Sequence, residues 1–172
     1  MPTKVETRGR WQEQKVVKRH DGMWVVEGHA PAIVLPGNGR FDQPSLFGGH
    51  TLPFLPTHLM ITLSVKIPPA GATPPHYHGG AAVHATVIRG SVLNQTICPS
   101  EDPAGQGSGV LQYAPGESWF EPPGCHHVLS RNASDTDEAE CVAVFVVEKK
   151  VVEELGLKGL VVIDAAVEDA RL

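Results

Sequence analysis

The stretch Gly116-Glu117-Ser118-Trp119-Phe120-Glu121-Pro122-Pro123-Gly124-Cys125-His126-His127 decides how this chain is read. A glycine turn opens it, residues 118–121 have the composition of a short strand, and Pro122-Pro123-Gly124 makes a rigid turn that delivers a histidine at the start of the next strand. Such a turn fixes where the imidazole of His127 points. Upstream, Gly71-Ala72-Thr73-Pro74-Pro75-His76-Tyr77-His78 sets two imidazoles at i and i+2. On a strand these share one face, where both can reach one metal ion.

Working outward, residues 58–67 alternate strictly: Leu59, Ile61, Leu63, Val65 and Ile67 interleave with His58, Met60, Thr62, Ser64 and Lys66. That is the pattern of a half-buried strand. Residues 83–88, 91–97, 109–113, 118–121, 127–131 and 140–148 are further candidates, each bounded by Gly, Pro, Asn or Asp clusters. Short strands at this spacing read as an all-β antiparallel barrel or sandwich. Residues 15–18 and 23–28 flank His20-Asp21-Gly22, a hairpin signal. Residues 31–56, rich in Gly and Pro, read as a long wrapping segment. Residues 149–155 are the one plausible helix, 160–163 a closing strand, and the acidic end a solvated tail. The chain is one domain: residues 1–56 form the N-terminal hairpin and wrapping segment, 57–148 the barrel core, and 149–172 the C-terminal helix, closing strand and tail.

Composition narrows the function. The 172 residues are 41% hydrophobic, enough for a core, and 18 Gly with 15 Pro imply many turns. A net charge of -5 argues against a nucleic-acid partner, which requires clustered positive charge. Nine histidines are a surplus, and five of them, His76, His78, His84, His126 and His127, fall between residues 76 and 127. Cys98, Cys125 and Cys141 are odd in number with no CxxC, so free thiols are expected. With no apolar leader at the N-terminus and no long apolar run, the expectation is a cytoplasmic protein without a membrane partner. In that compartment the sequons Asn94-Gln95-Thr96 and Asn132-Ala133-Ser134 stay unmodified. Residues 135–140 are acidic but lack the spacing of a calcium loop, and read as a solvated hairpin tip.

The two histidine stretches resemble the motifs of the cupin superfamily, in particular small single-domain cupins of bacterial and fungal metabolism. The first motif is carried by Gly71, His76, His78 and Gly90, with four rather than five residues before the first histidine; the second is carried by Gly116, Pro122, Gly124 and His127, with Asn132 one residue late. The segment between them is longer than the minimal version, and residues 99–109 read as an inserted loop. The resemblance implies a jelly-roll type antiparallel β-barrel whose mouth holds one divalent transition metal on His76, His78 and His127. Iron is the first expectation, with zinc, nickel or manganese as alternatives. It also implies a homodimer.

One family position is not matched. The glutamate ligand of the first motif falls on Val83, which cannot bind metal. His84, one residue on, shares strand parity with His76 and His78 unless a bend at Gly79-Gly80 breaks it, and is a candidate replacement. Without one, three neutral imidazoles leave the ion its full charge and open positions for substrate or oxygen. An anionic or chelating small molecule is then the expected substrate. Glu121 is a candidate general base or partner of a ligand imidazole. His126, on the opposite strand face from His127, and Tyr77, between the first two histidines, are expected outside the cavity. Cys125 reads as a buried small side chain. Of Trp119 and Phe120, one lines the pocket and one packs outside, while His58 and Met60 are weaker pocket candidates. The functional expectation is a three-histidine non-haem iron dioxygenase. The alternatives are a non-redox Lewis-acid isomerase, cyclase or lyase, and a cupin that binds a small ligand without turnover.

Overall fold

A computed structural model describes residues 1–5, 11–36 and 49–164. Fifteen strands occur among them: β1 (Thr3–Lys4), β2 (Val16–Lys18), β3 (Trp24–Val26), β4 (Ile33–Pro36), β5 (His50–Leu52), β6 (Leu55–Ile67), β7 (Ala72–Thr73), β8 (His76–Tyr77), β9 (Ala82–Arg89), β10 (Val92–Ile97), β11 (Leu111–Tyr113), β12 (Ser118–Glu121), β13 (His126–Asn132), β14 (Ala139–Glu148) and β15 (Val162–Ile163). One α-helix, α1 (Lys149–Leu155), follows β14 and runs into a 3-10 turn over Gly156–Leu160. All strand pairs are antiparallel.

Two sheets face each other. The first runs β1-β11-β10-β13-β8-β15, with β7 also on β13; the second runs β12-β9-β14-β6-β4, with β5 also on β6; β2 and β3 form the expected hairpin. The alternation read in residues 58–67 builds the centre of the second sheet. There β14 pairs with β6 from Ala139↔Ile67 to Glu148↔His58, a register that turns Leu59, Ile61 and Leu63 inward with Ala143, Phe145 and Val147. Val83 and Ala85 of β9 and Leu160 after α1 complete that core.

Several expectations are corrected. The wrapping segment contributes strands at both ends, β4 and β5, because the edges of the long β6 offer unpaired backbone groups; residues 37–48 lie outside the described residues, as does the acidic tail over 165–172. Two of the three cysteines are not free: Cys98 and Cys125 form a disulfide, with Cα atoms 4.2 Å apart. Sequence spacing hides this pair because the ladder creates it, Ile97 of β10 lying opposite His126 of β13 so that the flanking cysteines meet. Cys141 is free and buried. The sequons are closed by burial, since Asn94 and Asn132 are 2% and 4% exposed. Asn132 Nδ2 donates to the carbonyls of Ile67, Pro68 and Asp137, and so anchors the turns on either side of the barrel end.

The Gly79-Gly80 bend is real: both residues have positive φ, and β8 ends before it. Gly79 stands at φ 59°, and a Cβ there would collide with the Gly159 carbonyl. The close approach brings the Leu160 carbonyl to His78. We therefore expect Gly79→Ala to destabilise the fold by more than about 1 kcal/mol in denaturant titration. The opposite outcome, an unchanged midpoint, would show that the approach is not required. Opening the 27-residue Cys98–Cys125 loop with paired serine substitutions is expected to cost about 2–4 kcal/mol, read the same way.

Candidate metal centre

Local chain direction brings three imidazoles into one place. His76 on β8 lies directly opposite His127 on β13, so their side chains share a face, and His78 follows just beyond the strand. The ring centroids of His76 stand 4.7 Å from His78 and 4.9 Å from His127. One ring nitrogen from each of the three lies within 4.8 Å of the others, and all three residues are buried. This cluster could hold a metal ion.

The hydrogen bonds around the rings orient them for it. His76 Nδ1–H donates to the Pro74 carbonyl at 2.7 Å, and His78 Nδ1–H donates to the Leu160 carbonyl at 2.8 Å. Each bond fixes the tautomer and leaves an Nε2 lone pair for the cluster, the arrangement metal-binding imidazoles use. His127 turns Nε2 toward the side-chain amide of Asn94, 3.0 Å away. When that amide presents its oxygen, it accepts Nε2–H and leaves the Nδ1 lone pair free. In the sequence Asn94 stands out only as part of a sequon; its inward parity on β10, two residues beyond buried Val92, is the signal that could have found it.

Glu121 joins the three rings. It is 1% exposed; Trp119 Nε1–H donates to its Oε1 at 2.8 Å, its Oε2 lies 3.3 Å from His78 Nε2, and Oε1 lies 3.5 Å from His127 Nδ1. Burial acts to raise its pKa, but His127, His78 and the Trp119 N–H outweigh it and hold the carboxyl well below the ordinary range. Glu121 is therefore ionised. Burial, reinforced by His78 and His127, keeps His76 neutral, and burial also lowers His127. At His78 burial is overcome by Glu121 and the Leu160 carbonyl, so its pKa is raised. Yet His78 Nε2, Glu121 Oε2 and His127 Nδ1 have no hydrogen-bond partner. Buried polar atoms are almost always paired. Three unpartnered ones converging are what a cation would satisfy, so the donor set fits a divalent ion.

The other candidates fall where parity puts them. His84 is exposed on the outer face of β9, between inward Val83 and Ala85, and does not join the cluster; the Gly79-Gly80 bend has broken the parity that would have aligned it. Glu121, expected as a general base or partner of a ligand imidazole, does lie beside the cluster, within 3.5 Å of two of its ring nitrogens. Trp119 lines the cavity and Phe120 is exposed outside. Tyr77 stacks on His126 at 4.4 Å, and His126 approaches Asp164 at 3.2 Å, away from the three-histidine cluster. His58 and Met60 face away from the inward row of β6. Cys125 is committed to its disulfide. Burial pushes the Cys141 thiol in the cavity wall up to about 12, helped by Glu140 and Glu121, so it stays protonated.

The cluster opens into a cavity of about 70 Å³ with mostly apolar walls, among them Leu63, Val65, Val83, Ala85 and Phe145. No helix among the described residues is long and apolar enough to cross a membrane.

Comparison with known proteins bears on the family. No curated protein matches the chain. Among solved structures it is similar to Peruvianin-I, a cysteine peptidase from Thevetia peruviana latex (21% identity, 50% of this chain and 49% of that one, TM-score 0.44). It is also similar to recombinant oxalate oxidase in complex with glycolate (23%, 66% and 60%, TM-score 0.44) and to a tryptophan-to-phenylalanine variant of oxalate decarboxylase from B. subtilis (22%, 59% and 25%, TM-score 0.45). The match spans 60% or less of each of these three proteins. Likeness at this level says nothing of substrate or reaction. The family model for Cupin matches residues 25–159, and the chain, with both histidine motifs meeting in one buried cluster, belongs to the cupin family.

Proposed function

We propose that this cupin is a metal-dependent enzyme acting on a small anionic or chelating organic molecule, with His76, His78 and His127 as metal ligands and iron-dependent oxidation by dioxygen as its reaction. The observation that carries the reading is the convergence of unpartnered ring nitrogens at the base of an apolar cavity. Imidazole donors suit iron, zinc and nickel, and three of them leave coordination positions open. Bound ferrous iron would supply a place for dioxygen and substrate to meet and exchange electrons.

The chain's own residues do the rest. The carbonyls of Pro74 and Leu160 lock two rings in place, so little reorganisation is needed on substrate binding. Leu63, Val65, Val83, Ala85 and Phe145 keep bulk water from the reacting atoms. Glu121 supplies a negative charge, leaving a divalent centre with a single positive charge to match a monoanion such as an enolate or a hydroxy or keto acid. Cavity size favours a small one, because pockets for drug-sized ligands run to about 300–1,000 Å³. A homodimer, which the resemblance to small cupins implies, belongs to the same proposal. The disulfide, by contrast, counts against the cytoplasmic expectation, because such bridges persist in oxidising compartments.

Reconstituted with ferrous iron, the protein is expected to consume dioxygen with a small chelating monoanion, and His76→Ala to lower kcat/KM at least 100-fold. Equal turnover without oxygen, with zinc or nickel in place of iron, would select isomerase or lyase chemistry. Ligand binding without turnover under every metal would select a binding protein. In a thermal melt, a metal at 100 times its Kd should stabilise the wild type by about 2.7 kcal/mol and leave His76→Ala unmoved.

A further inference from the structure

We infer that Glu121 is itself a metal ligand, supplying from β12 the carboxylate that the first motif lacks on β9. The inference rests on the metal-centre reading above. Its starting point is the strand register: Glu121 pairs directly with Val83, the position where the carboxylate is missing. Cross-strand partners in an antiparallel pair project from one face with Cβ atoms about 4.5–5.5 Å apart. Both residues accordingly line the same cavity. Moving a carboxylate from one partner to the other keeps it within reach of the same ion, and a glutamate has the length to cover the offset.

The local geometry fits ligation better than a supporting role. A residue that orients a ligand imidazole binds its outer nitrogen, the one turned away from the metal. Here those outer positions are already occupied, by the Pro74 carbonyl at His76, the Leu160 carbonyl at His78 and Asn94 at His127. Glu121 instead faces the inner nitrogens, His78 Nε2 at 3.3 Å and His127 Nδ1 at 3.5 Å. Donor atoms bound to one ion at about 2.0–2.2 Å stand about 3.0–3.5 Å apart, so these are the separations of neighbours around a shared centre. The carboxylate is also held as a one-oxygen ligand would be. Trp119 Nε1–H secures Oε1, and Oε2 has no partner. An ion placed between Glu121 Oε2, His78 Nε2 and His127 Nδ1 would satisfy all three atoms at once.

The test is a crystal structure of the zinc-loaded protein together with zinc affinities of wild type, Glu121→Gln and His76→Ala. The expected result is zinc on three imidazoles with Glu121 Oε2 at about 2.0–2.2 Å, and a loss of affinity of at least 100-fold in Glu121→Gln. Zinc on the three histidines with the Glu121 carboxylate more than about 3 Å from the ion would overturn the inference and leave the metal centre standing. Wild-type affinity in Glu121→Gln alongside lost binding in His76→Ala would do the same. A wild-type protein that takes up no zinc would overturn both.

Discussion

An ionised carboxylate sealed among three imidazoles is the constraint on which the rest of this structure depends. Burying such a charge costs several kcal/mol unless something compensates it. Trp119 satisfies part of Glu121, and the remainder faces ring nitrogens that lack partners of their own. The architecture is arranged to hold that assembly still. The strand β8 that carries His76 is two residues long, yet it is clamped between β13 and β15. The turn after β8 is pressed against the segment following α1, and that contact aims His78. The Cys98–Cys125 bridge fastens the end of β10, which carries Asn94, to the turn that launches β13 and His127. Residues far apart in the chain thus act on one point.

Much of this is legible in the sequence, for identifiable reasons. The inward row of residues 59–67 announces itself by alternation, and the motif spacing around His76, His78 and His127 is set by turns whose Gly and Pro residues allow little freedom. The short helix is legible because residues 149–155 run through Lys, Val, Glu and Leu without a Gly or Pro to break them. What stays hidden is created by strand pairing. The disulfide depends on Ile97 lying opposite His126, and the role of Glu121 depends on its lying opposite Val83. Neither pairing has a local signature. The parity of His84 fails differently: it assumes one continuous strand, and two positive-φ glycines interrupt it. Asn94 escapes a sequence reading because a sequon is a surface feature only when its asparagine points outward.

The carboxylate changes the electrostatic character expected of the site. Three neutral ligands alone would leave a bare divalent charge at the bottom of an apolar cavity, attracting any anion strongly. With Glu121 at the centre, the uncompensated charge is halved, and one small monoanion neutralises it in surroundings where unbalanced charge is expensive. Cavity size and charge therefore select in the same direction. A small singly charged chelator, the substrate class proposed above, meets both criteria; a large one fails on size and a multiply charged one on charge.

The central claim, that the buried cluster exists to hold a metal, is tested most directly by elemental analysis. The protein would be measured as purified, and again after unfolding-free chelation and reconstitution with iron, zinc, nickel or manganese. About one equivalent of metal per chain is predicted, with loss of that equivalent in His127→Ala. A folded wild-type protein that retains less than about a tenth of an equivalent of every metal offered would contradict the account.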